Sequence, residues 1–258
     1  MTASTVINAG LLLTVLFAAL AAARMRVSGL YTRYRLLFMY LIYLVPGGVW
    51  PLLLSPRSHA YFWFWIYTEP INWLFDILVV RELCGLVLER YRGLCSLGRW
   101  AMYGGMGLSA AISLASLLPR LSNTLTSRSQ LLAVTVGMNR GVNFALALFL
   151  LLMLLLVSRY PMPISRNVIL NAVLFTIVFF CNTLAMLLHT VFDLSTGMHV
   201  DAVLTSLNAL TLLVWFLALT PRGELPQIET RQGKSEHEAH LLAHLERLNA
   251  MVLRLAES

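Results

Sequence analysis

Seven times along this chain an apolar run of about 20 residues recurs, the length a helix needs to cross roughly 30 Å of hydrocarbon. The runs occupy 4–23, 36–54, 61–83, 99–118, 131–157, 167–190 and 200–219. Loop chemistry separates several of them: "SPRSHA", "PRLSNTLTSRS", "RYPMPISR" and "DLSTGMH". Of the 258 residues, 59% are hydrophobic and 12% charged, against about 25% charged in soluble domains. The expectation is an all-α, polytopic seven-helix transmembrane bundle over 1–220, a linker over 221–234 and a short amphipathic helix over 235–258.

Basic residues set the direction, because Lys and Arg are retained on the cytoplasmic side. One set of alternate loops holds Arg24, Arg26, Arg33, Arg35, Arg90, Arg92, Arg99, Arg159 and Arg166; the other holds Arg57, Arg120 and Arg128. This predicts the N-terminus outside, the C-terminus in the cytoplasm and a multi-pass place in a plasma membrane. The first run lacks a basic leader and is followed by its arginines, which suits an uncleaved helix. The net charge of +7 lies in these loops, so no nucleic-acid partner is expected.

The third run carries Glu69, Asp76, Arg81 and Glu82. Arg81 and Glu82 are near enough to the cytoplasmic end to reach the interface. Glu69, Asn72 and Asp76 share one side of a helix, Glu69 and Asp76 being two turns or about 10.5 Å apart. If the third and fifth runs are centred near Asn72 and Phe144, Glu69 and Arg140 lie at similar depth, about 4.5 and 6 Å outward of the midplane. Intramembrane charges usually face the bundle interior and pair, so a buried Glu69–Arg140 ion pair is expected. Asn139, Asn143, Asn182 and Asn208 fall at comparable depth and complete a polar centre, an ion pair or a ligand site. Pro70 removes a backbone donor beside it and favours a kink. The same groups also suit a structural role that fixes helix neighbours, or a proton relay.

His189 and Asp193, with His199, Asp201 and His59, are weak candidates for a metal site at the outer ends, since they lack a strong zinc motif. No resident metal or cofactor is expected. The only lysine is Lys234, so no run offers an amine for a Schiff base. There is no GxxxxGKS, GxGxxG or GxSxG motif, and Cys84, Cys95 and Cys181 form no CxxC. Enzymatic activity has no positive support. In the fourth run Ala101, Gly105, Ser109 and Ser113 make a small-residue seam, expected to admit a neighbouring helix.

In the tail Leu241, Leu245, Leu248, Val252 and Leu255 follow a short heptad pattern. Its acidic balance favours self-association or a protein partner over a lipid surface. The functional expectation is a sensor or receptor-like ligand- or partner-binding component, with a small-solute or ion transporter and a structural or assembly protein as alternatives.

"WIYTEP" and "LVVREL" in the third run, "LGRW" opening the fourth, "NRGVNFALALFLLL" in the fifth, "PISRNV" opening the sixth and "LLVWFLALTPRGE" closing the seventh together resemble an uncharacterised family of bacterial seven-helix inner-membrane proteins, over about residues 30–224. The resemblance implies a bacterial inner-membrane location and an architecture, without a substrate. The chain departs from that pattern at Asn139, where an acid often precedes the arginine, and at Arg81, where an aliphatic residue is usual.

Overall fold

The computed structural model describes residues 3–54, 58–89, 92–115, 127–160, 164–191 and 194–224, with single helical positions at 243, 246, 247 and 250. Among the described residues the chain is helical, with no strands: α1 Ala3–Val27, α2 Arg35–Leu53, α3 His59–Val87, α4 Arg92–Ala115, α5 Ser127–Arg159, α6 Arg166–Val191 and α7 Leu194–Ala218. Each apolar run thus holds one helix. The 235–258 heptad residues lie outside the described residues.

Sequential neighbours pack on one another, α1 packs on α7 and closes the ring, and α3 leans inward against α2, α4, α5 and α6. Five helices are long and apolar enough to cross a membrane: α1, α2, α5, α6 and α7. The other two fall short for different reasons. α3 carries Glu69, Asp76, Arg81 and Glu82, and α4 is rich in Gly, Ser and Ala.

The outside of the bundle is greasier than a soluble surface. Leu12, Leu74, Leu108, Leu152, Phe180, Val203 and Leu210 are all exposed, on every helix but α2, where Met39 and Ile42 do the same. In water such a continuous apolar surface would aggregate; in lipid it is ordinary. Hydroxyls on the helices satisfy themselves locally, as a dry solvent requires. Thr14 donates to the Gly10 carbonyl at 2.9 Å, Thr183 to that of Phe179 at 2.8 Å and Thr211 to that of Leu207 at 3.0 Å.

Packing is unequal along the bundle. The end where α7 finishes holds the dense core: Ala18, Ala21 and Met25 of α1, Leu37 and Leu41 of α2, Val79, Val80, Leu83 and Cys84 of α3, Leu146 and Leu150 of α5, Phe175 of α6 and Leu219 just after α7 are buried. Toward the opposite end few large side chains among the described residues are buried, Ile66 among them. One end is therefore a dry plug, and the other is loosely packed.

Polar contacts close the plug. Glu82 turns to the start of α2. Its two carboxylate oxygens accept from the backbone N–H groups of Leu36 and Leu37 at 3.0 and 3.1 Å, capping the otherwise unpartnered N-terminus of α2 where the helix dipole favours an anion. Arg81 is exposed, as expected. Arg24 donates to the Phe216 carbonyl and lies over its ring at 5.4 Å, tying α1 to α7.

α3 stays helical through Pro70, and Thr68, whose hydroxyl bonds the Phe64 and Trp65 carbonyls, offers its own carbonyl to the Tyr43 hydroxyl at 3.4 Å. The small-residue seam of α4 does not make the close approach expected of it. A Cβ on Gly105 would meet nothing within 4 Å, because Ala101, Gly105 and Ser109 line an open groove. Ser109 does reach across, donating to the Gly141 carbonyl at 2.8 Å. Close approaches lie elsewhere: a Cβ on Gly10 would come within 2.7 Å of Thr205, and one on Gly48 within 2.6 Å of Val15.

Candidate functional site

Six helices, all but α4, surround a polar chamber of about 280 Å³ above the plug. α3 supplies Glu69, Asn72 and Asp76 from one face, as the 100° step between helical residues dictates. α5 supplies Asn139 and Asn143, α6 Phe179 and Asn182, and α7 Asn208, Thr211 and Trp215; Thr14 and Tyr40 come from α1 and α2.

Amides knit one wall together. Trp73 Nε1 donates to Asn139 Oδ1 at 3.1 Å, Asn143 Nδ2 donates to the same oxygen at 2.6 Å, and Asn182 Nδ2 donates to Asn143 Oδ1 at 3.4 Å. This ladder joins α3, α5 and α6, and it leaves the amide oxygens of Asn139 and Asn143 already engaged. On the other side the Trp215 indole is only 3% exposed and its N–H meets no acceptor. A buried donor without a partner costs about 1–3 kcal/mol, so an acceptor supplied from inside the chamber would be stabilising.

Arg140 is the exception among the expected residues. The two ion pairs among the described residues are Arg33–Glu89 and Arg33–Glu224, and neither joins Arg140 to Glu69. Arg140 lines a separate, largely apolar groove of about 410 Å³ with Met102, Ser109 and Leu148. The depth match is compatible with this placement, but azimuth decides contact. Asn139 and Asn143, four apart, share the chamber face of α5, and Arg140 is rotated one residue, about 100°, toward α4.

At the outer ends, no group of three His, Cys, Asp or Glu side chains is gathered for a metal among the described residues. His59 Nε2 accepts from the Trp63 indole at 3.2 Å. His199 is exposed and Asp201 half-buried. The His189 side chain and Asp193 lie outside the described residues.

A second polar cluster, not anticipated from the sequence, sits at the plug end. Tyr34, fully buried, donates its hydroxyl to Glu224 Oε1 at 2.7 Å. Asn167 Nδ2 donates to the same oxygen at 2.5 Å and to the Thr220 carbonyl at 2.8 Å. Arg33 Nε pairs with Glu224 Oε2 at 2.9 Å. Burial, reinforced by the neighbouring carboxylate, pushes the Tyr34 phenol well above its ordinary value, so it remains a donor at any physiological pH. The "PISRNV" and "TPRGE" stretches meet here. Their spacing carried no periodic signal, although Asn167 and Asn171, four apart at the start of α6, mark one polar face. Chamber residues Tyr40, Thr211 and Trp215 were also missed; Asn208, Thr211 and Trp215 at three- and four-residue steps were the available clue.

No protein-family model, curated protein or solved structure matches the chain.

Proposed function

We propose that this protein is a receptor-like component of a membrane, holding a small polar ligand in the chamber and conveying occupancy to its C-terminal tail. In this reading all seven helices span the bilayer, α3 and α4 shielded by their apolar neighbours. The N-terminus is outside and the tail cytoplasmic, as the arginine distribution requires. The family resemblance supplies the bacterial inner membrane as its location. The chamber then lies open toward the outside, above the dry plug.

One observation carries the reading. Trp215, the buried donor of the chamber, stands on α7 five residues before Thr220, whose carbonyl is held in the Tyr34–Asn167–Glu224 cluster. A ligand that moves Trp215 therefore acts on the helix that leads straight into the tail. A transporter would need a second path through the plug, which buried Leu37, Leu83, Leu146 and Leu150 fill.

Thiol labelling separates the readings. Asn208→Cys, read site by site by mass spectrometry in sealed vesicles, should react with a membrane-impermeant reagent from the outer face alone. Reaction from both faces would favour the transporter; no reaction from either would leave a structural role.

A further inference from the structure

We infer that the chamber takes a small organic ammonium compound bearing an oxygen acceptor, its cation held by Asp76 among the rings of Tyr40, Phe179 and Trp215. The inference rests on the ligand-site reading above and adds the class of ligand.

Sign comes first. The chamber lining contains two carboxylates, Glu69 and Asp76, and no Lys, Arg or His. An anion would meet like charge there without a counter-ion, which disfavours it. An inorganic cation needs a shell of free oxygens. Of the five lining amides, the oxygens of Asn139 and Asn143 already accept from Trp73, Asn143 and Asn182, which leaves that shell smaller.

Rings take its place. Tyr40, Phe179 and Trp215 line the chamber with Asp76. Phe175 stacks behind them, 6.0 Å from Tyr40, 5.6 Å from Phe179 and 4.8 Å from Trp215 between ring centroids, which holds the cluster rigid. A carboxylate beside aromatic faces is the chemistry that recognises an organic ammonium, through charge and cation–π attraction together.

The Trp215 N–H is independent of these arguments. It is a donor, buried and without an acceptor, so a purely cationic amine leaves it unsatisfied. An amino alcohol satisfies both. The volume of about 280 Å³ corresponds to about nine waters of liquid, room for a compact molecule or for one lipid headgroup.

Full-length protein in phosphatidylglycerol nanodiscs should show a saturable rise in thermal midpoint with ethanolamine and none with acetate or 1-propanol. Asp76→Asn should weaken the response at least tenfold. Trp215→Phe should weaken it clearly more for ethanolamine than for ethylamine, which keeps the inference testable if the Asp76 variant fails to fold. Nanodiscs containing phosphatidylethanolamine distinguish the source: a midpoint already raised without free amine assigns the cation to a headgroup. A response to acetate, an unaltered response in Asp76→Asn, or no response to ethanolamine in either lipid while Asn208→Cys still labels from outside, would overturn the ligand class and leave the receptor-like reading standing. Loss of that labelling as well would remove both.

Discussion

Replacing Glu224 by Ala strips a buried acceptor from the cluster that holds the start of the tail. The Tyr34 hydroxyl, fully buried, loses the acceptor it has at 2.7 Å; an unsatisfied buried hydroxyl costs about 1–3 kcal/mol. Asn167 loses one of two acceptors but keeps the Thr220 carbonyl at 2.8 Å, so its loss is smaller, about 0.5–1.5 kcal/mol. The Arg33 guanidinium is 43% exposed, and an ion pair so well solvated contributes about 0–1 kcal/mol. Summed, these ranges put the cost of Glu224→Ala to the closed cluster at about 1.5–5.5 kcal/mol. Glu224→Gln keeps an acceptor for Tyr34 and Asn167 and should lose no more than about 1 kcal/mol.

Tail release is the readout, because the cluster can open without unfolding the plug. Limited trypsinolysis at Arg222, in protein whose helices remain folded by circular dichroism, should accelerate at least about tenfold in Glu224→Ala, since about 1.4 kcal/mol is tenfold in an opening equilibrium. Glu224→Gln should accelerate it by about fivefold or less. Equal cleavage rates in wild type, Gln and Ala would show that the hydrogen bonds to Glu224 do not restrain the tail, and the proposed link from chamber to tail would lose its lower end.

Three other changes follow from geometry. Gly223→Ala would drive a Cβ into the Asn167 side chain, which two hydrogen bonds hold in place, so it should release the tail like Glu224→Ala, whereas Gly104→Ala, with nothing within 4 Å of the new Cβ, should leave thermal stability within about 0.5 kcal/mol. Glu82→Ala removes the cap from two backbone N–H groups of α2 and should lower unfolding stability in detergent by about 1–2 kcal/mol, with Glu82→Gln restoring part. In a double-mutant cycle on stability, Glu69→Gln and Arg140→Gln should be additive within about 0.5 kcal/mol; a larger coupling would mean that the two side chains interact despite lining different cavities.

Helices were the most legible part. Each apolar run was read as one helix because a dry solvent leaves the backbone no other way to satisfy itself, and the length of the run reports the element. The shared face of Glu69, Asn72 and Asp76 was legible for the same reason, since one helix has one phase. Relations between helices were not legible. Glu82 was placed at an interface because sequence position gives its height in the membrane, while its actual partner, the N-terminus of α2, depends on where another helix starts.

The misplaced partner of Glu69 shows the same limit more sharply. Height along the bundle follows from residue count at about 1.5 Å per residue, so two residues on different helices can be matched in depth from sequence alone. Their facing needs the rotation of each helix, and that is set by packing. On α5 the rotation is fixed by the amides: Asn143 is 3% exposed and bonded to Asn139 and Asn182, so this pair must face inward and Arg140 must turn toward the α4 groove. A chamber with two carboxylates and no cation in its lining then follows from the rotation of a single helix. The lining then sets no cationic side chain beside Glu69 and Asp76.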